Sequence, residues 1–288
     1  MPQETLKKLL PQFIKDLEEN KRSPSTVLAY RADLEQLATF LQGKNKVLPE
    51  QIASGDLEAF RDELLNQKYT PKTVSRKLNA VKTFFRFLIA VKATTTNPAE
   101  TVTHPKIEPS MPKFLSPLEY RALRDVVRDD VRISAIVELI LQTGLRISEV
   151  ANLKTENIKD GKLIVEAHAT QPERSIPLNR VAKEALEEYT AKERTKTKSP
   201  YLFVSKNGKR LAVRNIRASI DRYMQKAQVP QYSVNDLRTT FVVENLKAGV
   251  DMVLISQVVG HKRVSTTERY LELAEVKEPG KKQTLEEL

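Results

Sequence analysis

The chain has 288 residues, 40% apolar and 30% charged, with 8 glycines, three histidines and no cysteine. This composition excludes disulfide-stapled folds, thiolate chemistry and a disordered chain. It carries a net charge of +11 and a pI near 9.6, which favours a polyanionic partner over a merely solubilising surface charge, and no apolar run approaches the roughly 20 residues that span a bilayer.

Residues 1 to 95 read as four helices, the first over about 4 to 20. Ser23 and Pro24 open the second as N-cap and first helical residue, the third covers about 56 to 67, and Thr70 with Pro71 opens the fourth. No acidic residue lies between Glu63 and Glu100, whereas Lys72, Arg76, Lys77, Lys82 and Arg86 all do. Helical spacing places Val74, Leu78, Val81, Phe85 and Leu88 on one face and most of those cations elsewhere, a pattern suited to phosphates.

Residues 96 to 114 are proline-dense and read as a semi-rigid linker. A second domain, 115 to 288, opens with the helix "SPLEYRALRDVV". Its "KLIVEAH" and "RSIPL" read as paired strands around a polar loop, and helices are expected at about 180 to 194, 213 to 227, 235 to 248 and 251 to 259. The helix near 213 lies within a cationic stretch holding Lys209, Arg210, Arg214 and Arg217, which suits a DNA groove or, failing that, a solvated face. The fold class is mainly α, with one small antiparallel sheet.

Several residues stand out for their chemistry. Arg146 follows a Gly-Leu turn, and Arg238 lies in the first turn of an apolar helix, where a guanidinium is either salt-bridged or aimed at an anion. Gly260 closes the run "MVLISQVV", and Ser265 with Glu268 reads as a capping box opening another helix. His261 therefore falls just past one helix and Tyr270 in the first turns of the next. His104, His168 and His261 are isolated, so no metal site and no cofactor are expected.

The order of "TGLRISE", "ERSIPL", "NDLRTTF" and "GHKRVSTTERY" resembles the tyrosine recombinase (phage integrase) family, nearest in layout to the compact Xer-type enzymes. The resemblance spans the chain and implies an N-terminal SAM-like DNA-clamping domain followed by a catalytic domain. It implies that Tyr270 attacks a DNA phosphodiester to leave a 3′-phosphotyrosyl link and a free 5′-hydroxyl, while Arg146 and Arg238 hold the phosphate oxygens and His261 stands beside them. It further implies a cytoplasmic protein that acts on double-stranded DNA as a homotetramer, the C-terminal tail docking on a neighbouring protomer. The residues alone make that tail a frayed terminus.

Two positions depart from the family pattern. Aligning "ERSIPL" puts Ala169 where the family lysine protonates the leaving oxygen, and no lysine occurs from Leu163 to Ala182. Asn235 stands where the family has the first histidine of HxxR; it can hydrogen-bond but cannot take a proton. His168, beside Ala169, reads as a surface loop residue. The alternatives are a catalytically impaired relative that binds recombination sites and, less well matched, a type IB topoisomerase-like enzyme.

Overall fold

The computed structural model describes residues 4–108, 111–167, 171–194, 197–277 and 280–288. The chain divides into two compact units, Met1–Pro109 and Ser110–Leu288, each with its own hydrophobic core.

Four helices build the first unit: α1 (Leu6–Glu19), α2 (Pro24–Gln42), α3 (Ser54–Asn66) and α4 (Pro71–Ala90). The Ser23 and Thr70 hydroxyls accept from the third helical amides, Thr26 N at 3.2 Å and Thr73 N at 3.3 Å, and so start α2 and α4 at their prolines. The α4 stripe of Val74, Leu78, Val81, Phe85 and Leu88 is fully buried against Phe13, Leu37 and Leu57 of the other helices. Each such side chain contributes about 1.5–3 kcal/mol by leaving water.

Part of the proline-dense segment belongs to this unit. Ala99 and Val102 are buried in its core, Glu100 pairs with Lys82 and Arg86, and His104 Nδ1 bonds Ser75 Oγ at 2.8 Å. Residues 96 to 104 are thus anchored rather than spanning free. Apolar Ala99 and Val102 find a home that local proline content cannot reveal.

The second unit runs α5 (Pro117–Val127), α6 (Val131–Thr143), α7 (Ile147–Asn152), β1 (Ile158–Lys159), β2 (Lys162–Val165), β3 (Arg174–Pro177), α8 (Arg180–Lys192), α9 (Val213–Lys226), α10 (Val234–Lys247), α11 (Met252–Val259) and α12 (Ser265–Glu268). A capping box starts α5: Glu119 Oε2 accepts from Ser116 N at 2.8 Å, and Ser116 Oγ from Glu119 N at 3.4 Å. The strands form an antiparallel sheet in the order β1-β2-β3, with Leu163 opposite Ile176 and Val165 opposite Arg174. Leu163, Val165 and Ile176 point into the core.

The sequence pattern does not reveal α6, because its residues Ala135 to Thr143 are buried on every side and show no amphipathic stripe. It is the axis of the unit, packed on α8 and α10. Among the described residues no helix is long and apolar enough to cross a membrane.

The tail is not frayed. Its backbone pairs in parallel at Val250–Lys282 and Asp251–Gly280, and the backbone at Gly280 runs so close to Gly249 that any side chain there would collide with its carbonyl. Leu285 and Leu288 pack on the second core, Asn245 Oδ1 accepts from Glu286 N at 2.9 Å, and the Leu288 carbonyl accepts from Arg124 Nη2 and Gln142 Nε2, both at 2.7 Å.

Candidate active site

The site is organised by the C-terminal end of α11. Any helix leaves its last carbonyls without intrahelical donors. Here Gly260, in the left-handed conformation at φ 70°, ends the helix, and guanidinium groups fill the vacancy. Arg174 Nε donates to Val258 O at 2.7 Å, Arg238 Nη2 to Val259 O at 2.8 Å and Arg146 Nη2 to Gly260 O at 2.9 Å. Three arginines far apart in sequence thereby meet at one helix end, where the dipole favours positive charge.

Each arginine arrives on a local device. Gly144 closes α6 at φ 63°, and a Cβ there would sit 2.5 Å from Phe241 Cδ1 and 2.8 Å from Val259 Cγ1, so only glycine lets Leu145 and Arg146 turn inward. Arg146 caps α7, its amide donating to Glu149 Oε2 at 2.8 Å and its Nη1 to Glu149 Oε1 at 3.0 Å. Arg238, one turn into α10, donates to Gly144 O through Nη1. With two of five donors used, Arg238 retains three for a ligand.

Among the described residues, Glu149 is the carboxylate that bonds these cations. Burial works against its charge, but Arg174 first and then Arg146 outweigh that and hold its pKa below the usual carboxylate range. Arg238 shifts the other way: burial, then repulsion from Arg146 and Arg174, lowers it to about 9, so it remains charged at neutral pH. His261 suffers the same influences, burial foremost and then Arg238, Arg146 and Arg174, which bring it to about 4 and keep the imidazole neutral. Its Nδ1 lies 2.7 Å from the hydroxyl of fully buried Thr267, leaving Nε2 for another partner.

The Tyr270 ring stacks on His261, centroids 6.2 Å apart and planes 7° from parallel. Tyr270 is half-buried against the second core and close enough to Arg238 for a phenolate to favour that guanidinium's charge. The capping box expected at Ser265 does not form: Val264 is the N-cap of α12, which is a single turn, and Tyr270 lies just beyond its end. Beyond that end the chain continues in turns, with Tyr270 N bonded to Thr267 O at 2.9 Å and the Tyr270 ring over His261.

Arg146, Arg238, His261 and Tyr270 are thus one cluster. Asn235 lies on α10 one turn before Arg238, with its side chain exposed and without a hydrogen bond. His168 and Ala169 lie outside the described residues. Arg174, Glu149 and Thr267 were not singled out by sequence reasoning; the available signals were an arginine in a strand facing the core and a glutamate three residues after Arg146.

The cationic candidates divide sharply. Lys77 is buried and gives both its hydrogen bonds to Asp33 Oδ1 and Gln36 Oε1 at 2.8 Å; Arg76 forks onto the same Asp33, and Lys82 and Arg86 pair with Glu100. The cationic side of α4 is therefore largely neutralised by carboxylates outside the acid-free window, and only Lys72 among its five candidates is both exposed and unpaired. Lys209, Arg214 and Arg217 are exposed with no ion pair, while Arg210 bonds Asn152 and lies over Tyr201.

A mainly helical unit with a small antiparallel sheet, carrying paired arginines beside a histidine and a tyrosine, defines the class of the integrases. Residues 113–276 match the phage integrase family and residues 10–92 its N-terminal SAM-like domain. The chain belongs to the phage integrase family, that of the tyrosine recombinases. It is similar to the tyrosine recombinase XerC of Roseiflexus castenholzii, 30% identical over 91% of this chain and 87% of that protein. Among solved structures it resembles XerA recombinase (27% identity, TM-score 0.53, covering 92% of this chain and 93% of that one). In fold it also matches a lambda integrase tetramer bound to a Holliday junction (19% identity, TM-score 0.76, covering 91% and 79%).

Proposed function

We propose that this protein is a site-specific DNA recombinase that breaks and rejoins strands through Tyr270. The supporting observation is the convergence of Arg146, Arg238, His261 and Tyr270 at one helix end. In this reading the free donors of Arg146 and Arg238 bind the non-bridging oxygens of a scissile phosphate and stabilise the charge that builds on them. Tyr270 Oη attacks phosphorus, the P–O5′ bond breaks with its electron pair passing to O5′, and one proton leaves the phenol as another joins the 5′ oxygen. Neutral His261 offers Nε2 as acceptor or donor in that exchange. The energy of the broken bond is kept in the phosphotyrosyl ester, which a second 5′-hydroxyl reverses.

Exposed Lys72, Lys209, Arg214 and Arg217 supply phosphate contacts to double-stranded DNA, and the protein works in the cytoplasm as a tetramer across two sites. Tails would then be exchanged between protomers, each released from the groove it occupies in its own unit.

Asn235 and Ala169 favour slow turnover over full activity, since each acid-base group typically contributes about 10²- to 10⁴-fold. A nicked suicide substrate tests the reading: a covalent protein–DNA adduct is expected, lost in Tyr270→Phe with DNA binding intact. No adduct under any condition with binding intact leaves the DNA-binding relative as the function. Restoring Asn235→His and Ala169→Lys should raise the adduct rate by about 10²-fold or more.

A further inference from the structure

We propose that Arg174 is a positioning residue for strand cleavage, clamping the Arg146 turn, the His261 turn and the β2–β3 hairpin into one rigid unit. This rests on the recombinase reading of the site. Arg174 is the third guanidinium at the end of α11, and all three of its hydrogen bonds go to the site's framework. Its Nη1 and Nη2 fork onto Glu149 at 3.0 and 2.8 Å, the bidentate geometry that fixes both partners. Its Nε holds Val258 O at 2.7 Å, two residues before Gly260.

Its side chain is about nine-tenths buried, so it is poorly placed to be a phosphate ligand itself. Its plane lies against Gly260: a Cβ there would come 3.1 Å from Arg174 Cζ and Nη1. The glycine is therefore required twice, for its backbone and for the space the guanidinium occupies.

Glu149 transmits the effect. Its Oε1 accepts from both Arg174 Nη1 and Arg146 Nη1 at 3.0 Å, and its Oε2 from the Arg146 amide at 2.8 Å. Without Arg174 the carboxylate keeps only Arg146 and pulls that guanidinium toward itself, away from an incoming phosphate. With Arg174 present, Glu149 is satisfied from two sides, and Arg146 keeps its Nη2 bond to Gly260 O and its remaining donors for substrate. Arg174 also lines a cavity of about 580 Å³ with Gln171, Glu173, His261 and Lys262, at the end of the hairpin loop. One buried guanidinium thus ties β3 and residues 171–173 to the position of the proposed phosphate ligand.

The test pairs activity with a readout that does not need activity. In Arg174→Gln, DNA affinity should be unchanged while the rate of adduct formation falls by about 10²-fold, the scale of an ångström's misplacement. Arg174→Lys keeps the charge but loses the fork, so it should restore little. The Nη signals of Arg146, followed by ¹⁵N NMR, should move in both variants relative to the unsubstituted protein, as that guanidinium turns from Gly260 O toward Glu149. Glu149→Gln combined with Arg174→Gln should be no slower than the worse single variant. An unchanged adduct rate, or unchanged Arg146 signals, overturns the proposal. Absence of any adduct in the unsubstituted protein sinks the recombinase reading instead, and the Arg146 signals then decide the role of Arg174 alone.

Discussion

His261 is held neutral by its burial first and by the neighbouring guanidinium groups second. Its folded pKa near 4 lies below the ordinary value of 6.5, so between these limits the unfolded chain binds the extra proton. Stability is therefore full above about pH 6.5 and falls as the pH drops toward 4. Glu149 adds little in that window, because its depressed pKa confines its own loss to pH values near and below the ordinary 4.5. Thermal melts between pH 7 and 4.5 should show a decline of about 1 kcal/mol, allowing for partial exposure, that disappears in His261→Gln. Gly144 sets a second limit at this scale. Gly144→Ala adds both a left-handed strain and an overlap with Phe241 and Val259, and should cost about 2–3 kcal/mol in denaturant melts. The need for a glycine was legible in "TGLR"; the neighbours that enforce it were not, since Phe241 and Val259 are about a hundred residues away.

The two basic elements show how little charge along a sequence says about charge on a surface. α4 and α9 read alike, but Asp33 from α2 and Glu100 from the following segment cancel most of α4. Asp33→Ala leaves Lys77 buried with Gln36 and the Tyr69 ring but no counter-charge, and should destabilise the first unit by about 3 kcal/mol in chemical denaturation. On α9 the buried face of Ile216, Ile220 and Met224 leaves Arg214 and Arg217 unpaired in solvent. Arg217→Ala should weaken DNA binding across sequences and reduce the slope of log K against log salt by about 1. An unchanged slope removes α9 from the DNA interface. Caps and prolines made the starts of α2, α4 and α5 readable to within a residue, because those signals are local. The uniformly buried α6 and the one-turn α12 were unreadable, because packing alone decides them.

At the scale of the molecule, the tail turns a monomer into a self-satisfied unit. Leu285 and Leu288 cover apolar surface, and the Leu288 carbonyl accepts from Arg124 and Gln142, two donors that also share the Glu138 carboxylate. If protomers exchange tails on DNA, Leu285→Ala should lower the share of tetrameric complexes in native gels without altering single-site affinity. Equal loss of both would assign the tail to folding alone. The sequence by itself determined the helical class, the paired strands, the basic balance and the four residues now found together, because spacing, caps and motif order are properties of neighbouring residues. Tertiary structure alone decided which cations stay free, that Arg174 and Glu149 pair beside Arg146, and that the tail returns to its own unit. Ion pairing and burial depend on groups that only the folded chain brings within a few ångströms.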